Sequence, residues 1–305
     1  MVLALFFLLL YLEIKNYVKI MILIADSGST KTDWATLSSQ FSTLSSQFSV
    51  LSSQGLTPVH QSRDTILQIL RTELLPQLDP SEVSSVFFYG SGVRPELESV
   101  MADVLREAFP QAETVEAHSD LLGAARALCG HNYGISSILG TGANSCLYDG
   151  ERIVQNTPAM GYILDDEGSG AALGKRLLHD LYKSVLSEKI KNAFEAETEL
   201  SLPEIINKVY RQPLPNRFLA SLSPFISRHL AEEPALEQLV VDCFADFFRF
   251  NILPYRRPDL PVSFVGSVAA YYEPQLRQAA SCFSLSVGTI LRSPLSGLCE
   301  YHFTL

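Results

Sequence analysis

Ile22-Leu23-Ile24-Ala25-Asp26-Ser27-Gly28-Ser29-Thr30-Lys31-Thr32 is the stretch whose reading decides the fold. Four apolar residues lead into an acid. A glycine then sits among small hydroxyl residues, and apolar residues return at Trp34 and Ala35. The pattern predicts a buried strand, a tight turn and a second strand. Gly28 lets the backbone turn where a Cβ would clash. Ser27, Ser29 and Thr30 are small enough to let backbone N–H groups face an anion, and their hydroxyls and Lys31 can add donors. Asp26 ends the strand, where a carboxylate is placed to hold a hydrated Mg2+. Alone, such a turn also reads as an ordinary hairpin; its repetition gives it weight.

The second half of the chain opens in the same way. Residues 135–139 read as a strand, Gly140-Thr141-Gly142-Ala143-Asn144 as a glycine turn, and 145–148 as the return strand before the Asp149-Gly150 hairpin. Between the two devices, residues 65–75 read as a helix and the β-branched and aromatic run 83–89 as a strand. A helix over 95–109 and a short strand over 114–117 lead to His118-Ser119-Asp120 and an Ala/Leu-rich helix over 121–129. This alternation argues for an α/β domain. Further on, Asp165-Asp166-Glu167-Gly168-Ser169-Gly170 precede a helix. Residues 203–256 are mostly helical, with 218–230 read as one helix. Residues 262–265 form a strand from which Gly266-Ser267-Val268 open a helix.

At 305 residues the chain can build two domains with their own cores. A net charge of −10 without a basic cluster argues against a nucleic-acid surface. Five cysteines without a C-x-x-C pair argue against a zinc ribbon, an iron–sulfur ligand set or a disulfide framework, and suit a cytoplasmic protein. Residues 1–20 are read as a leader. Their apolar run is shorter than the roughly 20 residues a bilayer needs, and no positive charge precedes it. An upstream start before Met21 is preferred to a membrane-associated segment. LSSQ recurs at Leu37, Leu44 and Leu51, a seven-residue spacing shared by Phe41 and Phe48. The spacing fits a heptad seam, but serine disfavours helix. The preferred reading is a duplication over 37–54 that lengthens a hairpin tip, so that removing 38–51 leaves stability nearly unchanged.

Two glycine hairpins and one glycine-started helix are three places where backbone N–H groups can meet anions. No Walker-type motif is present, and no G-x-G-x-x-G opens a helix after a strand. A nucleotide held between two similar halves fits better. DSGSTKTDW, SDLLGAARAL, ILGTGANSCLYDG, GYILDDEGSGAALGK, FVGSVA and SPLSGL with Tyr301-His302 resemble, in order, the N-acetylglucosamine kinase and BadF/BadG/BcrA/BcrD-type ATPase family. That family belongs to the actin, hexokinase and sugar-kinase superfamily. The resemblance runs from Met21 to the C-terminus and leaves out only the leader and the repeat. It implies an α/β protein of two ribonuclease-H-like domains, 21–125 and 126–305, with ATP in the cleft between them.

Carried over by position, Asp26 and Ser27, Gly28, Ser29, Thr30, Lys31 and Thr32 form the first phosphate loop. Gly140, Thr141 and Gly142 form the second, and Gly266 and Ser267 lie by the adenosine. Asp120 matches the catalytic aspartate. Its reading from the residues alone is divided between a general base and a helix N-cap. His118 reads as structural. Thr57, Thr141, Asn144 and Asp166 fall on the positions that hold a sugar. Two departures stand out: Thr57 replaces an Asn, and Asp165 replaces a Gly. The implied function is ATP- and Mg2+-dependent phosphorylation of an amino sugar such as N-acetylglucosamine. Alternatives are an ATPase that activates a reductase or dehydratase and a non-catalytic sugar- or nucleotide-sensing regulator. The partners expected are a small-molecule sugar and, in a homodimer, a second copy; neither nucleic acid nor a membrane partner is expected.

Overall fold

The computed structural model describes residues 21–28, 30–38 and 48–303. These fall into two compact units. The described residues up to Gly123, with those from Leu295 on, form the first; Ala124–Pro294 form the second.

In the first unit, β1 (Met21–Ser27), β2 (Lys31–Ser38) and β3 (Ser49–Gln54) form an antiparallel meander. Helix α1 (Arg63–Ile69) follows, then β4 (Val83–Gly90), α2 (Pro95–Ala108) and β5 (Thr114–Ser119). Helix α3 (Asp120–Cys129) starts directly on the end of β5. The sheet order is β3-β2-β1-β4-β5, with β4 and β5 parallel to β1. Side chains alternate along β4. Val86 and Phe88 join the core under α1 and α2, whereas Phe87 and Tyr89 face the other way.

The second unit repeats the plan. Strands β6 (Gly134–Leu139), β7 (Ala143–Tyr148) and β8 (Ile153–Asn156) form its meander. Then come α4 (Gly170–Tyr182), α5 (Glu188–Thr198), α6 (Leu202–Tyr210), α7 (Pro215–Ala220), α8 (Ser223–His229) and α9 (Pro234–Phe247). Strand β9 (Val262–Val265), α10 (Ser267–Tyr271), α11 (Glu273–Ser281) and β10 (Val287–Leu291) complete it. Its order is β10-β9-β6-β7-β8, the same meander extended by two parallel strands. Ile135, Leu139 and Phe264 pack with Leu173, Leu177, Phe244 and Phe247 of α4 and α9 in its core.

Three expectations change. The third repeat copy is a strand of the sheet: Leu51 pairs with Trp34, whose indole N–H donates to Ser53 Oγ at 3.0 Å. Removing 38–51 would therefore cut into β3 and destabilise the unit; residues 39–47 of the repeat lie outside the described residues. The single helix read over 218–230 is two, α7 and α8, because Pro224 lacks the N–H a continuous helix needs. The last helix, α12 (Leu295–Phe303), packs on β1 and β2 in the first unit, although the sequence reading ran the second domain to 305. The leader, residues 1–20, lies outside the described residues.

Candidate active site

In the first unit the β1–β2 hairpin closes with the Ser27–Thr32 pair, and the Gly28 N–H donates to the Lys31 carbonyl at 3.0 Å. Ser27 and Thr32 turn inward and are buried. Their hydroxyl oxygens lie 2.7 Å apart, and Ser27 Oγ accepts the Leu56 N–H at 3.1 Å. Ser27 thus ties the hairpin to the segment after β3, and Thr32, donating to the Gln54 carbonyl at 3.2 Å, ties it to the end of β3. Lys31 Nζ is 2.7 Å from Asp33 Oδ1. Thr30 gives its carbonyl to the Gly55 N–H. Ser29 lies outside the described residues.

Asp26, Tyr89 and His118 stand in register across β1, β4 and β5, so their side chains share the face of the sheet opposite α1 and α2. Burial pushes the Asp26 carboxyl up to about 7, and the charges of Asp120 and Asp33 add to the effect. The fold therefore brings the residue assigned to the metal near the residue assigned to catalysis. Asp120 is the first residue of α3. The cap belongs to Ser119, whose Oγ accepts the Leu122 N–H at 3.3 Å. Asp120 Oδ1 accepts the Leu121 N–H at 2.9 Å, and burial raises its pKa. His118 sits between Glu98 and Glu116, at 3.3 and 3.1 Å, which suits the structural reading. Thr57 is buried, its N–H donating to Gln61 Oε1 at 2.8 Å. The Gln61 amide also donates to the Gly55 carbonyl, so both ends of that amide serve the turn.

In the second unit the start of α4 holds the second loop. The Gly170 and Ala171 N–H groups donate to the Gly140 and Thr141 carbonyls at 2.8 and 3.1 Å. Asp166, at φ +69°, accepts the Ala143 N–H at 2.9 Å. A Cβ on Gly142 would lie 3.1 Å from that carboxylate. Burial raises Asp166; the Ala143 bond opposes this, and Asp165 adds to it. Asn144 Oδ1 accepts from the Ser145 N–H and from Asn156. Asp165, the residue in place of the family glycine, accepts the Met160 N–H at 3.0 Å and donates its own N–H to Gly161 O at 2.8 Å. It closes the loop before the D-E-G triplet.

Gly266 has φ +129°, and a Cβ there would fall 2.2 Å from the Leu139 carbonyl, so only glycine fits. Gly140, Thr141 and Ser267 line one cavity of about 550 Å3. Sequence reasoning missed its other wall, the α7–α8 break with Ser221 and Ser223, and Tyr271 on α10. Pro224 was the one available signal for that break. Arg292 donates to Tyr271 Oη at 2.7 Å and holds the ring at the cavity edge.

No protein-family model matches the chain, and no curated protein sequence does. Solved structures do. A Porphyromonas gingivalis protein named a candidate N-acetylglucosamine kinase is 44% identical, with a TM-score of 0.87 over 93% of this chain and 99% of that one. A candidate N-acetylglucosamine kinase from Chromobacterium violaceum shares the fold at 17% identity and a TM-score of 0.68, over 93% and 99% of the two chains. So does a ROK-family transcriptional regulator homologous to the Escherichia coli MLC protein, at 14% identity and a TM-score of 0.51, over 93% and 78%. The repeated five-stranded plan is the two-domain α/β fold that the sequence implied, and the P. gingivalis structure shares it over nearly the whole chain. On its likeness to the first of these proteins over nearly the whole of both chains, the chain belongs to the N-acetylglucosamine kinase family.

Proposed function

We propose that the protein transfers the γ-phosphoryl group of ATP to a hydroxyl of an amino sugar of the N-acetylglucosamine type. The observation that carries this reading is the setting of Asp120 directly after β5 at the start of α3, with one carboxylate oxygen held by the Leu121 N–H at 2.9 Å and its charge acting on Asp26 of the same unit. Phosphoryl transfer asks a protein mainly for positioning and charge neutralisation. An ordinary aspartate is a poor acceptor for a hydroxyl proton; burial makes Asp120 a stronger base. Its bond to the Leu121 N–H orients the carboxylate and leaves the second oxygen for the acceptor.

Thr57, Thr141, Asn144 and Asp166 are assigned to the sugar. The 27–32 hairpin, Gly140, Thr141, Gly142, Gly266 and Ser267 are assigned to the nucleotide. A cavity of about 550 Å3 is in the range that takes a nucleoside. Among the described residues no three acidic, histidine or cysteine side chains form a ready ligand set, so the cation would rest on Asp26, on which the charges of Asp120 and Asp33 act, together with the phosphates it neutralises. Asp26 would hold Mg2+, which supplies neutralisation of phosphate charge when bound. The name borne by the P. gingivalis protein supports the acceptor class. Against an activator ATPase with a thiolate-held cluster, burial pushes the Cys129 thiol up to about 11 and raises Cys146 too. All five cysteines are free, which suits the reducing cytoplasm where we place the protein. Among the described residues no helix is long and apolar enough to cross a membrane. The test is ADP release with Mg-ATP against a panel of N-acetylated and plain hexoses. Turnover on N-acetylglucosamine is expected, and no release with any sugar would overturn the reading.

A further inference from the structure

The catalytic reading leaves one buried polar cluster of the first unit unused. Tyr89, 1% exposed, stands one residue before the end of β4, and its Oη lies 2.8 Å from Nε2 of His302 on α12. His302 is 4% exposed and stacks on Phe87, with ring centroids 3.8 Å apart and planes at 21°. The other end of the tyrosine supports α3. A Cβ on Gly123 would lie 2.8 Å from both Cβ and Cγ of Tyr89, so the helix backbone rests directly on the root of the ring. Gly123 is three residues past Asp120, and residues at that spacing share a face of a helix. Any shift of the tyrosine ring is thus felt in the first turn of α3, one turn from the carboxylate.

We propose that His302 and Tyr89 are positioning residues for Asp120: the hydrogen bond from the last helix locks the tyrosine ring, and the ring sets the first turn of α3. Neither touches the reacting atoms. The inference rests on the kinase reading above. It accounts for a glycine at 123, where alanine would be the better helix former, and for a buried histidine at the end of the chain. A hydrogen bond between buried groups holds one geometry well, because leaving either partner unmatched is costly. A general base misplaced by about 1 Å is enough to lower turnover severalfold to a hundredfold.

The experiment measures kcat, both KM values and Tm for Tyr89→Phe, His302→Leu and His302→Gln in the full chain, beside Asp120→Asn. Tyr89→Phe and His302→Leu are expected to lose about tenfold in kcat, with KM for ATP and sugar within about twofold. His302→Gln, whose amide can still meet Tyr89 Oη, should recover most of the loss. Should His302→Leu fail to fold, Tyr89→Phe decides alone, since it removes a single oxygen. Wild-type kcat in these variants while Asp120→Asn is crippled would overturn the proposal. So would a loss of kcat that glutamine does not restore or that a rise in KM accompanies. A wild-type rate from Asp120→Asn removes the catalytic reading itself, a separate outcome.

Discussion

Asp26→Asn should make the protein more stable at neutral pH, and the gain should vanish in acid. The Asp26 carboxyl is pushed from 3.8 up to about 7, first by burial and then by the charges of Asp120 and Asp33. A carboxyl that binds its proton more tightly folded than unfolded costs nothing below about pH 4, where both states are protonated. The cost grows between about pH 4 and 7, as the unfolded chain ionises while the folded one resists. Above about 7 it is constant. Three pKa units at about 1.4 kcal/mol each set a ceiling of about 4 kcal/mol. The carboxylate is only half-buried, so solvent screening reduces the expected figure to about 2 kcal/mol. Asparagine carries no charge and escapes the cost. The assay is urea denaturation of both proteins, free of nucleotide and metal, from pH 4.5 to 8.5. The variant's advantage should rise from near zero to about 2 kcal/mol over that range. A gap that is the same at both ends, or an Asn variant less stable at pH 8, would refute the argument. Adding Mg-ATP should then favour the wild type, because ligand binding stabilises only the protein that binds it well.

Asp120→Asn should lower kcat by about a hundredfold or more while KM for ATP and sugar stays near wild type, as steady-state kinetics would reveal. Thr57→Asn should tighten N-acetylglucosamine, since the longer amide can reach a hydroxyl that threonine leaves unmatched. The gain is about 1 kcal/mol, read as a several-fold fall in KM, and no fall would discount Thr57 as a sugar contact. Asp165→Ala should free the loop closed on the Met160 N–H. Faster hydrogen exchange at Met160 with little change in Tm is the expected signature, and unchanged exchange would argue against the staple. Gly174→Ala would drive a Cβ to 2.0 Å from the Leu219 carbonyl, and a loss of about 2–4 kcal/mol in chemical denaturation follows from overpacking α4 against α7.

The two strand–turn–strand openings were legible in the sequence, because strand alternation and glycine turns are local signals. Residues 22–25 are an apolar run, 135–139 set Ile135, Ile138 and Leu139 around two small serines, and each opening heads one of two matching sheets. The motifs, standing in the family's order along the chain, carry a resemblance that the likeness to the P. gingivalis structure bears out. What local pattern could not say is which way a side chain faces and what it meets. Ser27 reads as an anion donor, yet its hydroxyl meets that of Thr32 and the Leu56 N–H, a neighbour 29 residues away in sequence. Ser49–Gln54 read as the end of an insertion, but Trp34 needs Leu51 and Ser53 beside it. Pro224 marks the break between α7 and α8, but that Ser221 and Ser223 beside it line one cavity with Gly140, Thr141 and Tyr271 is decided by how these segments pack, α7 on α4 among them. The Tyr89–His302 bond spans 213 residues, and no spacing rule reaches that far. Periodicity along a chain records which residues prefer burial. The partner each buried polar group finds is settled by packing between distant segments, because an unpaired buried donor or acceptor costs more than the local backbone preferences that a sequence displays.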